Sequence, residues 1–452
     1  MAENIEKRYD PLYWRGVSTT FEKQTPYDPA TALQNVKKPR KRYCVAFYSP
    51  LLGESSWTIV GIELMNELDK LGIPTYIIPW SISEKIDKIR FMKRVLPRGS
   101  VNLELEDIER YIRFLHLKVI IRLSHPDSFH VLYALREHIP ALKIVGYSVA
   151  ESDSINDVWV EGCNAMDQVW GTSLFTCNVY RRSGVKAPIH YVPHGVRLDI
   201  FNPQNADEKL REKLKLDHKF VVLYVGRVDE RKNLPALIKA YAMIEKPDMH
   251  LVIHGDKRPQ DLELIKKLGV RNVTYTEDIG IRVWRLPHRY MPKIYGLALG
   301  KKRGCHVLPS HAEGFGMTLV EAGAMGIPCI AINWSAPPEI IINGKTGFLI
   351  PVSGFEEVPS FITSGGKWAC FEEEKLADLI ETLYADPGLC REMGEHATEH
   401  IRKNYTWRKA AEWAFKALCE LIEKSDEKLW KRLQAYRHIY KDKLLIHSSL
   451  ID

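Results

Sequence analysis

Glu313 and Glu321 stand eight positions apart in HAEGFGMTLVEAGAMGIP (residues 311–328), a stretch that is otherwise almost wholly apolar. Gly314 and Gly316 allow a backbone to approach a ligand closely. A helix beginning near Met317 turns its free N–H groups and positive end toward the same place, which outlines an anion site. Glu321 has Leu319, Val320, Ala322, Ala324 and Met325 around it, a pattern that predicts burial. A buried carboxylate is costly without hydrogen-bond donors, and a ribose diol offers two. Glu313, read alone, is a solvated loop carboxylate; its place beside the glycines makes it a candidate for chemistry.

A second stretch, VVLYVGRVDERKNLPALI, ends a strand at Gly226 and places Arg227 and Lys232 before a helix capped near Asn233. Arg through its planar fork and Lys as a point charge can together neutralise a diphosphate. Both loops should leave one edge of a single sheet, so a diphosphate between them would meet two cations and a helix end. A third loop, SPLLGESSWT (residues 49–58), carries Gly53 after the first strand, and by itself reads as an ordinary capped turn.

These loops need strands behind them, and the chain supplies an alternation of strand-like and helical runs. YCVAFYS, IPTYIIP, LKVIIRLS, LKIVGYS, DQVWGTS and PIHYVP form one set of strands, and FVVLYVG, MHLVIHG, VTYT, CHVLPS and PCIAI a second. Strands separated by helices imply parallel sheets with crossovers, where ligands bind beyond the carboxyl ends of the strands. The polar segment at 202–219 separates the two sets. The predicted organisation is an N-terminal arm (1–42), a first Rossmann-like domain (43–200), a second (201–410) and a helical tail (411–452).

The chain has 452 residues, 45% hydrophobic and 27% charged, a soluble globular composition long enough for two domains. Its net charge of +7 favours anionic ligands without requiring nucleic acid. No apolar window reaches a membrane span and the N-terminus lacks a signal-peptide core, so the expected location is cytoplasmic. The eight cysteines show no metal-ligand spacing and read as reduced core residues.

Together these stretches resemble the retaining GT-B glycosyltransferases of family 4, glycosyl transferases group 1. The two glutamates with seven residues between them, GRVDERKN, YVPHGVRLDIFNP, PKIYGLA, INGKTGFLIP and NYTWRKAA are all similar to that family's segments, over about residues 43 to 415. The resemblance implies an α/β fold of two facing doubly wound domains with a cleft between them, and transfer of a sugar from a nucleoside-diphosphate-sugar to a hydroxyl acceptor with retention. Arg227 and Lys232 would bind the diphosphate and stabilise it as leaving group, Glu321 would hold the ribose, and Glu313 with Gly314, Phe315 and Gly316 would contact sugar and phosphate. Gly226, Thr318 and Leu319 would complete the donor site, with Gly53 meeting the diphosphate from the first domain. No metal or other cofactor is expected to be obligatory, although Mg2+ can accompany a diphosphate.

The chain departs from that pattern in two places. LLGESS stands where many members carry a double glycine, and VGYSVAESDSINDVW has no histidine where many place one near the sugar. Glu151 and Asp153 stand there instead, as acceptor-side candidates or as helix-start carboxylates. His194 is expected to organise the interdomain hinge. Residues 81–98 place Ile86, Ile89, Met92 and Leu96 among Lys85, Lys88, Lys93 and Arg94, which reads as an ordinary amphipathic helix or as peripheral contact with an anionic membrane face. The tail is expected to pack across the domains or against a second copy of the chain. A catalytically silent nucleotide-sugar-binding module and a GT-B epimerase are the rival readings; a dehydrogenase is disfavoured because neither half shows GxGxxG.

Overall fold

The computed structural model describes residues 44–51, 55–82, 105–282, 286–359 and 365–422. The expected arm, Gly53, residues 83–98 of the basic segment and the tail beyond 422 lie outside the described residues.

Six apolar runs of the first half form one parallel sheet. Its strands are β1 (Cys44–Leu51), β2 (Thr75–Ile82), β3 (Leu117–Leu123), β4 (Lys143–Ser148), β5 (Gln168–Gly171) and β6 (Ile189–Tyr191), in the order β2-β1-β3-β4-β5-β6. The second half repeats the plan with β7 (Phe220–Val225), β8 (Met249–His254), β9 (Val273–Tyr275), β10 (Gly304–Leu308), β11 (Cys329–Ile332) and β12 (Gly347–Ile350), in the order β12-β11-β10-β7-β8-β9. Every residue of β7, β10 and β11 is buried. Helices cover both faces of a parallel sheet, so its central strands are apolar without alternation. The sheet order reverses between β10 and β7, with His306 opposite Leu223. That reversal opens a crevice at the carboxyl ends of these two strands, and both candidate loops leave from it. A small antiparallel hairpin, β13 (Gly354–Glu357) and β14 (Lys367–Cys370), stands beside the second sheet.

Two local expectations change. The helix Leu234–Ile244 has Asn233 before it in the left-handed region (φ 48°), and that side chain makes no cap hydrogen bond. With Pro235 just inside, the first turn has one N–H fewer to satisfy. Seven of the eight cysteines are buried, but Cys370 is only half-buried at the end of β14.

The helix Trp407–Ile422 returns to the first half. Trp407, Ala410, Ala411, Ala414, Leu418 and Ile422 pack with Val45, Phe47, Leu64 and Trp170 in one core. Gly195 makes this seat: a Cβ there would lie 2.3 Å from the Trp407 backbone nitrogen, and the neighbouring Val196 N–H donates to the Tyr405 carbonyl at 2.8 Å. Backbone atoms cannot rotate away as a side chain can. Gly195→Ala should therefore lower stability by about 1–3 kcal/mol in urea unfolding, and an unchanged midpoint would show that the helix is not seated this way.

Candidate active site

The loops after β7 and β10 meet on one carboxylate. Glu313 is 4% exposed, and its Oε1 lies 2.6 Å from Lys232 Nζ and 3.2 Å from Arg231 Nη1. Burial alone would push the Glu313 carboxyl up, but the Lys232 and Arg231 charges and the Lys232 hydrogen bond outweigh it and hold it down at about 2. Arg231 is buried as well. Burial opposes its charge, yet Glu151 and Glu313 more than restore it, so the guanidinium is held above its usual range. Its Nε lies 3.0 Å from Glu151 Oε2 in the first domain, and its Nη1 donates to the Ala312 carbonyl at 2.6 Å. The main chain is tied in the same way: His311 N–H donates to the Arg231 carbonyl at 2.8 Å, and Glu313 N–H to Ser335 Oγ at 2.9 Å.

Arg227 stands at the outer side of the same turn. Its side chain is half-exposed and lies 3.7 Å from Asp229, whose carboxylate also accepts from Lys232 N–H at 3.0 Å. The turn therefore directs Lys232 and Arg231 inward and leaves Arg227 at the rim, so the inward cationic pair is Lys232 with Arg231. DERKN contains Arg231 in plain view, but adjacent residues in a turn cannot be assigned inward or outward directions from spacing alone.

Gly316 (φ 100°) precedes the helix Met317–Ala324, whose start follows β10 and carries no side-chain cap. Gly314 serves the domain interface. A Cβ there would lie 2.5 Å from Val149 Cβ of the first domain, and the Gly314 carbonyl accepts from Thr172 Oγ1 at 2.7 Å. The close approach that glycine permits at 314 is thus to the opposing domain. Phe315 is buried with its ring centroid 4.9 Å from that of His194. Thr318 Oγ1 lies 3.2 Å from His306 Nε2, and Leu319 is buried in the second domain's core. Gly226 ends β7 with its N–H on the His254 carbonyl.

Glu321 is buried, as its neighbours predict, and it has donors within the protein. His288 Nε2 lies 2.7 Å from Oε1 and Tyr295 Oη donates to Oε2 at 2.6 Å. A carboxylate has about four acceptor positions, and these two donors take one on each oxygen. Tyr295 lies in PKIYGLA, and its spacing carries no sign of this contact.

Glu151 and Asp153 are not helix-start carboxylates. The helix Asp157–Asn164 is capped by Asn156. Glu151 pairs with Arg231, while Asp153 exchanges backbone contacts with Lys367: Asp153 Oδ1 accepts from Lys367 N–H at 2.7 Å and Asp153 N–H donates to the Lys367 carbonyl at 3.2 Å. Trp368 Nε1 donates to the Glu151 carbonyl at 2.8 Å. Glu339 adds a further contact across the cleft, accepting from Leu174 and Phe175 N–H at the start of the helix Leu174–Arg182. His125, after β3, stacks on Trp159 and meets Trp57 edge-on. Neither Glu339 nor His125 is marked out by spacing or by its neighbours in the sequence. His194 is buried among Tyr147, Phe315 and Trp407; both ring nitrogens lack a partner among the described residues, and burial lowers it to about 3.

Because Glu313 titrates below its ordinary value of 4.5, its stabilising contribution is complete above that value and is lost as pH falls toward about 2. Glu313→Gln leaves Lys232 without its counter-ion and Arg231 with Glu151 alone. We expect it to cost about 3–5 kcal/mol at neutral pH and to flatten the acid limb of a stability–pH profile from urea melts. An acid limb identical to that of the unmutated chain would separate this carboxylate from the cations.

Comparison with known proteins bears on the same region. Residues 206–400 match the family described as "Glycosyl transferases group 1". A probable sucrose-phosphate synthase of Thermosipho melanesiensis is 28% identical over 252 residues, 54% of this chain and 49% of that protein. The chain thus spans about half the length of this curated relative. The solved sucrose-phosphate synthase of Thermosynechococcus elongatus superposes with a TM-score of 0.66 at 20% identity, covering 85% of this chain and 100% of that one. HepE of Anabaena, solved in complex with UDP-glucose, gives 0.64 at 16% identity over 83% and 99% of the two chains. The likeness extends over both sheets, and the crevice just described falls within the matched segment. This chain is a GT-B protein whose residues 206–400 carry the pattern of the glycosyl transferases of group 1.

Proposed function

We propose that this chain transfers a sugar from a nucleoside-diphosphate-sugar to a hydroxyl acceptor with retention of anomeric configuration, as a family 4 enzyme. The observation that carries the reading is the Lys232–Glu313–Arg231 cluster at the β7/β10 reversal, beside the open start of the helix Met317–Ala324. Developing charge on a departing diphosphate would meet Lys232 and the helix end, both in place before reaction, with Arg227 reaching in from the rim. Glu313, held ionised by its cations, is no proton donor at neutral pH; its role is to orient Lys232 and accept from sugar hydroxyls. The leaving phosphate would take the acceptor's proton on the face it vacates. Glu321, already aimed by His288 and Tyr295, would accept from the ribose diol. The complex of HepE with UDP-glucose supports a donor of this class.

Gly53 would meet the diphosphate from the first domain, and Glu151 and Asp153 would border the acceptor side, with Glu151 acting through Arg231. The first domain would supply the acceptor's remaining contacts. Cytoplasmic location, membrane contact through residues 81–98 and self-association are parts of the same proposal.

The test is a panel of nucleotide sugars with and without candidate acceptors, following nucleotide release and product configuration by NMR. Lys232→Ala and Glu321→Ala should each reduce release by about 100-fold or more while circular dichroism stays unchanged. Undiminished release in both would remove the site from this crevice. Donor binding without turnover for any acceptor would favour a silent module, interconversion of free nucleotide sugars an epimerase, and an inverted product would overturn retention.

A further inference from the structure

At the outer end of the glycine loop, His311 meets the β13–β14 hairpin. Its Nδ1 lies 2.8 Å from the Ala369 carbonyl oxygen, which can only accept, so Nδ1 carries a hydrogen and Nε2 is the nitrogen whose lone pair the neutral ring offers to a ligand. The ring is held in plane by Trp368, stacked on it at a 7° angle between planes. Nε2 points to Glu356, 3.5 Å from Oε1. Cys370 completes the group: the ligating atoms of His311, Glu356 and Cys370 all lie within 4.8 Å of one another. The hairpin register explains the convergence. Cys370 pairs with Gly354, which has no side chain to fill the space, and Glu356 lies two residues along on the same face.

We propose that His311, Glu356 and Cys370 bind a zinc-like divalent ion through imidazole nitrogen, carboxylate oxygen and thiolate. Two donors about 2.0–2.1 Å from a tetrahedral zinc stand roughly 3.3 Å apart, close to the observed imidazole–carboxylate separation. The hydrogen bond from Nδ1 to a carbonyl is the outer contact that fixes a ligating histidine's tautomer and orientation. The donor set combines nitrogen, sulfur and oxygen, which suits zinc over magnesium or calcium. Three protein ligands leave the fourth position to water.

The site stands apart from the transfer chemistry and does not depend on it. Its reach is mechanical. The same hairpin holds Asp153 and Glu151 of the first domain through Lys367 and Trp368. An ion joining the hairpin to His311 would pin that bridge to the loop carrying Glu313.

The full chain, stripped by chelator, should take up one Co2+ with the intense visible absorption of tetrahedral coordination and a near-ultraviolet thiolate charge-transfer band, and Zn2+ should displace it. Cys370→Ser should abolish the charge-transfer band and weaken binding more than about tenfold, whereas Glu356→Gln should weaken binding and keep the band. Without any substitution, Zn2+ should shield Cys370 from alkylation, the other seven thiols being buried already. A pale octahedral Co2+ spectrum, a charge-transfer band that survives Cys370→Ser, or alkylation of Cys370 indifferent to Zn2+ would each overturn the proposal.

Discussion

A single buried carboxylate governs the architecture of the crevice. Glu313 has little access to water, so it must be neutralised within the fold, and two cations from the neighbouring β-loop do this. Each cation is also confined by the arrangement. Burial favours the neutral form of Lys232, and the Glu313 carboxylate works against it. Arg231 is fixed on one side by Glu313 and on the other by Glu151 of the opposing domain. The strand reversal between β10 and β7 sets these loops next to each other, and the charges determine how the loops lie once there.

The same cluster links local order to domain arrangement. Arg231 bridges the two domains, and the contacts around it repeat the theme with main-chain partners: Glu339 on two amides of the first domain, Thr172 on the Gly314 carbonyl, Trp368 and Lys367 on the Glu151–Asp153 segment. Within the described residues, the cleft between the sheets is thus bordered on several sides by polar contacts of defined geometry. The helix Trp407–Ile422 adds an apolar tie, since it follows the second domain in sequence and packs on the first.

Much of this was readable from residue order. Parallel strands buried on both faces appear as unbroken apolar runs, so both sheets could be placed and the two loops put on one edge. Burial of Glu321 follows from the apolar residues on either side of it in the helix Met317–Ala324. Its donors could not be read, because His288 and Tyr295 lie 33 and 26 positions away and reach it only through the turn of the chain before β10. Arg227 and Arg231 are both arginines of one short turn, and only the backbone path decides which faces inward. Gly314 illustrates a different limit. A glycine announces a close approach, but the approaching group, Val149, belongs to the other domain. Cys370 belongs with His311 and Glu356 by hairpin register, which has no fixed spacing along the chain.

The contact of Gly314 with Val149 also distinguishes strength from fit. Hydrogen bonds such as that from Thr172 exchange with water when surfaces part, so each contributes only about 0.5–1.5 kcal/mol net. The glycine–valine contact has no such exchange. It acts as a gauge: with no side chain at 314 the surfaces seat fully, and an added methyl, 2.5 Å from Val149 Cβ, would force one of them to shift. The spacing of the two domains is thus set by a van der Waals contact that no side chain at 314 could share, and the polar contacts around it fix orientation more than distance.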